Sequence, residues 1–206
     1  MSSEKRKYEQ RERAAKQEET RRRIAAATAE LHAEVGPART TIAEIAKRAG
    51  VRRPTVYNNF ASDKELFAAC QAHFVAKSPP PVLDPDDGVE EVLTRLYRWW
   101  RKNQRTSGNV DRDRGSVPAL DELMRETTDA QFDALADALA AGLCGARGGG
   151  GSGSCPRAAG RRSAAQARAV IRLALRFATW KSLAADSLSD AAAARAMARS
   201  ARASCK

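Results

Sequence analysis

The sequence predicts an all-α protein, with an N-terminal head of three short helices followed by a larger helical region. Apolar residues recur at i, i+3, i+4 and i+7 through one segment after another. No segment alternates with the period of two that a half-buried strand requires. Thr, Ser, Gly and Pro stand where helices begin and end.

Residues 1–19 are almost wholly polar, with Glu9/Arg13, Glu12/Lys16, Glu18/Arg22 and Glu19/Arg23 spaced i,i+4 in the favourable order. This arm is expected to be either a frayed helical extension or disordered. The first helix of the head begins near Thr20 and carries Ile24, Ala27, Thr28, Leu31 and Val35 on one stripe, until Gly36-Pro37 stops it. Thr41 and Glu44 form a capping box for a second helix, which turns Ile42, Ile45, Ala46 and Ala49 inward. Gly50 supplies a turn that calls for positive φ. A polar third helix runs from about Arg53 to Asn59 with Pro54 in its first turn, and Ser62 with Glu65 predicts a second capping box, opening a fourth helix that bears Leu66, Phe67, Cys70 and Phe74.

Ser78-Pro-Pro-Pro81 and Asp84-Pro-Asp-Asp-Gly88 place the domain boundary near residue 78. The head is thus 20–77 and the second domain 78–206. Beyond the boundary, Val89, Val92, Leu93, Leu96, Tyr97 and Trp100 mark one helix. Residues 106–116 read as a polar loop, and a helical region from Val117 to Leu143 follows. Gly145 to Gly160 is a Gly/Ser-rich flexible loop; it lacks both the Gly-Lys-Ser/Thr ending and the preceding strand of a phosphate-cradling loop. A helix over about Ser163–Ala185 is apolar on nearly two faces, so one face is expected to meet its own core and the other a partner chain. An alanine-rich helix from Ser189 to about Ala203 closes the chain, with Met197 its one larger apolar residue.

The chain has 206 residues, 43% hydrophobic and 30% charged, which suits a globular protein with a real core. A net charge of +11 points to a polyanionic partner. Sixteen Lys and Arg stand against ten Asp and Glu through residue 77, and twenty against fifteen thereafter, so charge alone does not locate the binding face. No apolar run approaches the ~20 residues that span a bilayer, and Lys5-Arg6-Lys7 is followed by no apolar signal core. A cytoplasmic protein without membrane contact is expected. Cys70, Cys144, Cys155 and Cys205 lack paired spacing, which suits free thiols in a reducing compartment.

Catalytic and metal chemistry find little support. Cys70 and His73 could supply half a metal site, but no second pair has matching spacing and His32 is isolated; a buried inert thiol is the default for Cys70, a redox switch its alternative. Asp129, Asp133 and Asp137 read as a solvated acidic face, and Asp84, Asp86 and Asp87 as turn residues. No nucleophile, base and orienting acid appear in a plausible order, so neither enzyme activity, cofactor nor metal is expected.

The capped helix, Gly-containing turn and polar helix of Thr41–Phe60 have the layout of a helix-turn-helix DNA reader. Thr40-Thr41, Ile45-Ala46, Ala49-Gly50-Val51, Pro54-Thr55-Val56-Tyr57, Phe60, Ser62-Asp-Lys64 and Glu65-Leu66-Phe67 resemble the DNA-binding domain of the TetR family of transcriptional regulators. The resemblance covers Thr20–Phe74, about a quarter of the chain. It implies a homodimer, an all-α ligand and dimerisation domain, and repression of a palindromic operator relieved by a small molecule. It also implies that the third helix enters the major groove. Arg52 and Arg53 would then reach guanine, Asn58 or Asn59 adenine, and Pro54 and Thr55 thymine methyls, while Thr40, Thr41, Tyr57 and Lys64 match positions that hold phosphates. Position 52 is often Ser in the family; Arg52 forfeits that cap and gains a cation.

Tyr97, Trp100, Phe132, Phe177 and Trp180, with Trp99, could line a ligand cavity, although their helical spacing suits core or interface more often than pocket. Leu175, Ala178, Leu183 and Met197 are candidates for the dimer interface. The expected function is a ligand-responsive, DNA-binding repressor. Its rivals are a basic architectural DNA-binding protein without ligand control and a thiol-based redox-sensing regulator. The arm is expected to be a solvated tail, with minor-groove insertion as the alternative.

Overall fold

The computed structural model describes the backbone of residues 2–145 and 157–205 and the side chains of 4–145 and 162–205; Cys155 and the glycine run 148–154 lie outside them. Among the described residues the regular secondary structure is all helical, without strands. The helices are α1 (Ser2–Glu34), α2 (Ile42–Ala49), α3 (Arg53–Asn59), α4 (Asp63–Lys77), α5 (Gly88–Lys102), α6 (Gln104–Asp113), α7 (Pro118–Met124), α8 (Ala130–Gly145), α9 (Arg157–Ala174), α10 (Phe177–Ala185) and α11 (Asp190–Ala203). They fall into two compact units: residues 1–79 with 108–123, and residues 80–107 with 124–206.

In the first unit the arm and the first head helix are one continuous helix, Ser2–Glu34. Residues 4–19 are exposed, and the apolar stripe begins at Ile24. Ile24, Ala27 and Leu31 pack with Ile45, Ala46, Ala49, Val56, Phe60 and Leu66 in one core. Thr28 enters that core because its hydroxyl donates to the Ile24 carbonyl at 2.8 Å, a bond that needs no outside partner. Gly36 ends α1 at φ +95°, and a Cβ there would overlap the side chains of Arg112 and Asp113.

The expected loop at 106–116 is corrected by α6, whose polar residues serve the end of α1. Asn109 Nδ2 donates to the carbonyls of His32 (2.9 Å) and Ala33 (3.0 Å), and Arg112 to that of Val35 (3.2 Å). Asp113 accepts from the Ala38 N–H at 3.0 Å and from Arg112, whose hydrogen bonds hold its carboxyl below the usual range. These are the carbonyls a helix end leaves orphaned. A hydrophobic pattern registers only the polarity of such a segment, hence the misassignment.

The second unit is built on α5, which buries Val89, Val92, Leu93, Leu96, Tyr97 and Trp100, while Trp99 is half-buried against the same core. The single helix expected over 163–185 is two. The chain breaks at Leu175-Arg176, with Arg176 extended (φ −96°, ψ 135°). The Tyr97 hydroxyl donates to the freed Ala174 carbonyl (2.9 Å) and Thr179 Oγ1 to that of Leu173 (2.6 Å). The break turns Phe177 and Trp180 onto Trp100, with ring centroids 5.7 and 6.3 Å away.

The acidic face of α8 lies at the surface, as expected, and its carboxylates are paired. Asp137, Asp133 and Asp129 face Arg168, Arg172 and Arg176, an i,i+4 series on the antiparallel neighbour. α11 buries only alanines, Ala193, Ala194, Ala198 and Ala201, which lets it lie close on α5 and α9. The expectation of four free thiols fails at Cys144 and Cys205, which form a disulfide; Cys70 is free and buried.

Cys70 Sγ lies 3.4 Å from Nδ1 of His32, not beside a metal partner, and the His32 ring leans on Phe67. Burial holds His32 down to about 4, with Asp113 acting weakly in the other direction. Burial also pushes the Cys70 thiol up to about 12, which leaves it inert. A histidine whose folded pKa is depressed stabilises the fold fully above its unfolded value near 6.5, and that stability is lost as pH falls toward 4. The loss between pH 7 and pH 5 amounts to about 2 kcal/mol. Denaturant unfolding at the two pH values, compared with that of His32→Leu, checks this: the variant should lack that share of the decline.

Candidate nucleic-acid interface

The reading helix is positioned by local chemistry first. The Thr41 hydroxyl accepts from the Glu44 N–H (3.2 Å) and the Glu44 carboxylate accepts from the Thr41 N–H (3.0 Å), closing a reciprocal cap on α2. Those bonds hold the Glu44 carboxyl below its ordinary range. Gly50 ends α2 in the left-handed region at φ +64°, ψ +38°, and the Val51 N–H returns to the Ala46 carbonyl at 2.9 Å. Two residues later α3 begins at Arg53. Arg52, at its N-cap, makes no side-chain cap bond, and Pro54 sits in the first turn.

α3 is amphipathic over only two turns. Val56 is buried, and Thr55 and Asn59 are half-buried beside it. Arg53, Pro54, Tyr57 and Asn58 form one exposed arc with Arg52 at its head, and Tyr57 is 61% exposed. Asn59 points elsewhere: its Nδ2 donates to the Thr55 carbonyl at 2.7 Å. Arg21 of α1 donates to the Asn59 carbonyl and to Glu65, and lies 4.2 Å over the Phe60 ring. This clamp gives the end of α3 a fixed place, and the head's residue patterning did not disclose it.

Other sequence candidates are already engaged within the chain. Thr40 Oγ1 donates to the Gly36 carbonyl and Thr41 Oγ1 to Glu44, while Lys64 Nζ donates to Glu122 at 2.7 Å. The second capping box is only half formed. Ser62 accepts from the Glu65 N–H, but the Glu65 carboxylate takes the Ala61 N–H at 2.9 Å and pairs with Arg21. Arg21 foremost, and the Ala61 N–H after it, hold that carboxyl below its usual range.

Residues 24–70, the stretch from the buried half of α1 into α4, match the family model of bacterial regulatory proteins of the tetR family. The head of the chain is thus similar to the DNA-binding domain of the tetR family of bacterial regulatory proteins. Over 66 residues it is 41% identical to an uncharacterized HTH-type transcriptional regulator of Mycobacterium bovis, a match over 32% of this chain and 35% of that one. The aligned part thus spans about a third of the relative's length. A transcriptional regulator from Rhodococcus sp. RHA1 has the same fold, with a TM-score of 0.55 and 20% identity over 88% of this chain and 93% of that structure. A TetR transcriptional regulator from Rhodococcus sp. RHA1 aligns at a TM-score of 0.47, 22% identity, over 92% of this chain and 97% of its own.

The five aromatics proposed for a ligand cavity do meet, all within the core of the second unit. Trp100 is the hub, 5.6 Å from Tyr97, 6.4 Å from Phe132 and 5.7 Å from Phe177, and Trp180 lies 5.2 Å from Phe177. The Trp180 N–H donates to Asp190 at 3.0 Å. Burial pushes the Asp190 carboxyl up, but bonds from Arg101 and Trp180 outweigh it and hold the group low. The dimer candidates separate. Leu175 is 1% exposed inside its own core, correcting its assignment to an interface. Leu183 and Met197 are half-buried against that core, and Ala178 is exposed. Leu173, which was not among the candidates, is 57% exposed.

Removing the α2 cap should loosen the reader without touching its outer arc. Thr41→Ala is expected to destabilise α2 by about 1 kcal/mol and Thr41→Ser to leave it nearly unchanged. Amide exchange over 42–49 reports both.

Proposed function

We propose that this chain is a sequence-specific, DNA-binding transcriptional regulator, a homodimeric repressor released from a palindromic operator by a small-molecule ligand, and not an enzyme. The observation that carries it is the exposed arc of Arg53, Pro54, Tyr57 and Asn58 on a short helix held from behind by Val56 and Arg21. In such a helix the N-terminal residues reach base edges. Arg52 and Arg53 offer bidentate donors for guanine O6 and N7, Asn58 for adenine N6 and N7, and Pro54 with Thr55 apolar contact for thymine. Tyr57, exposed beside them, would hold a phosphate. Asn59 contributes by shaping the helix end, since its amide is bonded within α3. Thr40, Thr41 and Lys64 reach phosphates only by exchanging their present internal partners, and the first turns of α2 and α4 supply backbone donors beside them.

Ligand control is a population shift: an effector that prefers the conformation incompetent for DNA weakens binding by its differential affinity. Tyr97, Trp100, Phe132, Phe177 and Trp180 are packed as core, so an effector that used them would have to open that core to enter, and the outward residues Leu173 and Ala178 are the apolar surface available to a second copy.

Selection of bound duplexes from a random library at near-physiological salt tests the reading, because non-specific phosphate binding is suppressed there. An enriched inverted repeat is the expected result. Salt-sensitive binding without a motif would instead describe an architectural protein. On the selected site, Arg53→Ala should relax one base pair by about 1–3 kcal/mol, whereas Tyr57→Ala should weaken all sequences alike. Equal losses on every sequence for both variants would refute that division of roles.

A further inference from the structure

We propose that Cys144 and Cys205 are a reversible redox couple that fastens the C-terminal end of α11 to α8. The inference rests on the DNA-regulator reading in one respect. A protein that works beside DNA shares a compartment whose small-thiol pool keeps cysteines reduced, and a disulfide formed there is typically one that is also broken.

Position carries the rest. Both cysteines are half-buried, within reach of a small thiol, and both lie at helix ends, where local opening costs least. Cys144 is the penultimate residue of α8, and Cys205 lies just past Ala203, the last residue of α11. The buried face of α11 is alanine alone, so no large side chain locks its final turn, and the ion pair there, Arg202 with Glu90 at 3.9 Å, is exposed. α11 packs on α5 and α9, and α8 packs on α9. The sulfur bridge is therefore the covalent tie between the two helix ends, across 61 residues of chain. Cys70, enclosed with His32 and inert, takes no part.

The chemistry is ordinary exchange with a small-molecule disulfide. The thiolate of one cysteine attacks a sulfur of that disulfide, forms a mixed disulfide and releases one small thiol. The second cysteine, having given up its proton, attacks the protein-bound sulfur, closes the Cys144–Cys205 bond and releases the second small thiol. Two electrons and two protons pass from the cysteines to the oxidant, and reduction reverses each step. Reduced, the last turn of α11 frays; oxidised, it is held.

The test uses the full chain without DNA, so the DNA-binding reading can fail in its own assay while this one remains legible. The protein is equilibrated in glutathione and glutathione disulfide at ratios from fully reducing to fully oxidising, free thiols are alkylated, and peptides are mapped by mass. Cys144 and Cys205 should titrate together, with half-conversion inside the series. Amide exchange over 199–204 should be about tenfold faster in the reduced chain, and Cys205→Ser should exchange at that faster rate in every buffer. The proposal is overturned by a pair that stays oxidised throughout, by one that never oxidises, by pairing of Cys144 with another cysteine, or by exchange that ignores the redox state.

Discussion

A seven-residue helix has no stability of its own: nucleation is costly, and two turns return too few hydrogen bonds to offset it. α3 is such a helix, and its exposed residues have a defined direction only because of what lies behind them. Val56 is the single fully buried residue that it offers to the core of Ile24, Leu31, Ile45 and Leu66. Its start is set by the left-handed turn at Gly50, and its end by Arg21 over Phe60 and against the Asn59 carbonyl. The first unit can be understood as the means of holding this one short segment still.

The same logic explains where that unit places its polar residues. The end of α1 would expose carbonyls over a buried Gly36-Pro37 turn; Asn109 and Arg112 donate to them, and Asp113 accepts from the Ala38 N–H just beyond. His32 and Cys70 meet beneath that cover, both pushed toward their neutral forms by burial. The second unit solves a different problem. Its core is aromatic at the centre and alanine at the periphery, so large rings from α5, α8 and α10 fill the volume while α11 closes over with almost no side chain. The interruption between α9 and α10 is what brings Phe177 and Trp180 to Trp100, and its loose carbonyls find donors in Tyr97 and Thr179.

Local chemistry and helical periodicity determined by themselves the all-α class, the bounds of α2 and α3, the apolar face of α5, the Thr41–Glu44 box and the Gly50 turn, because each depends on residues within four positions of one another. The outward residues of α3 were indicated by the family resemblance, which also took in the half-buried Thr55 and Asn59. Tertiary structure alone decided the features that join residues far apart in sequence. Asn59 reads like a base contact until its amide is seen turned back on Thr55, and Leu175 like an interface residue until the break beside it buries it. The i,i+4 arginines at 168, 172 and 176 are a visible pattern, but only the antiparallel packing of α8 on α9 makes Asp137, Asp133 and Asp129 their partners. Residues 104–113 become a helix through bonds to the end of α1, and Cys144 finds Cys205 across 61 positions. Periodicity records which face of a helix is apolar; what that face, or a polar side chain, meets is settled only when distant segments are brought together.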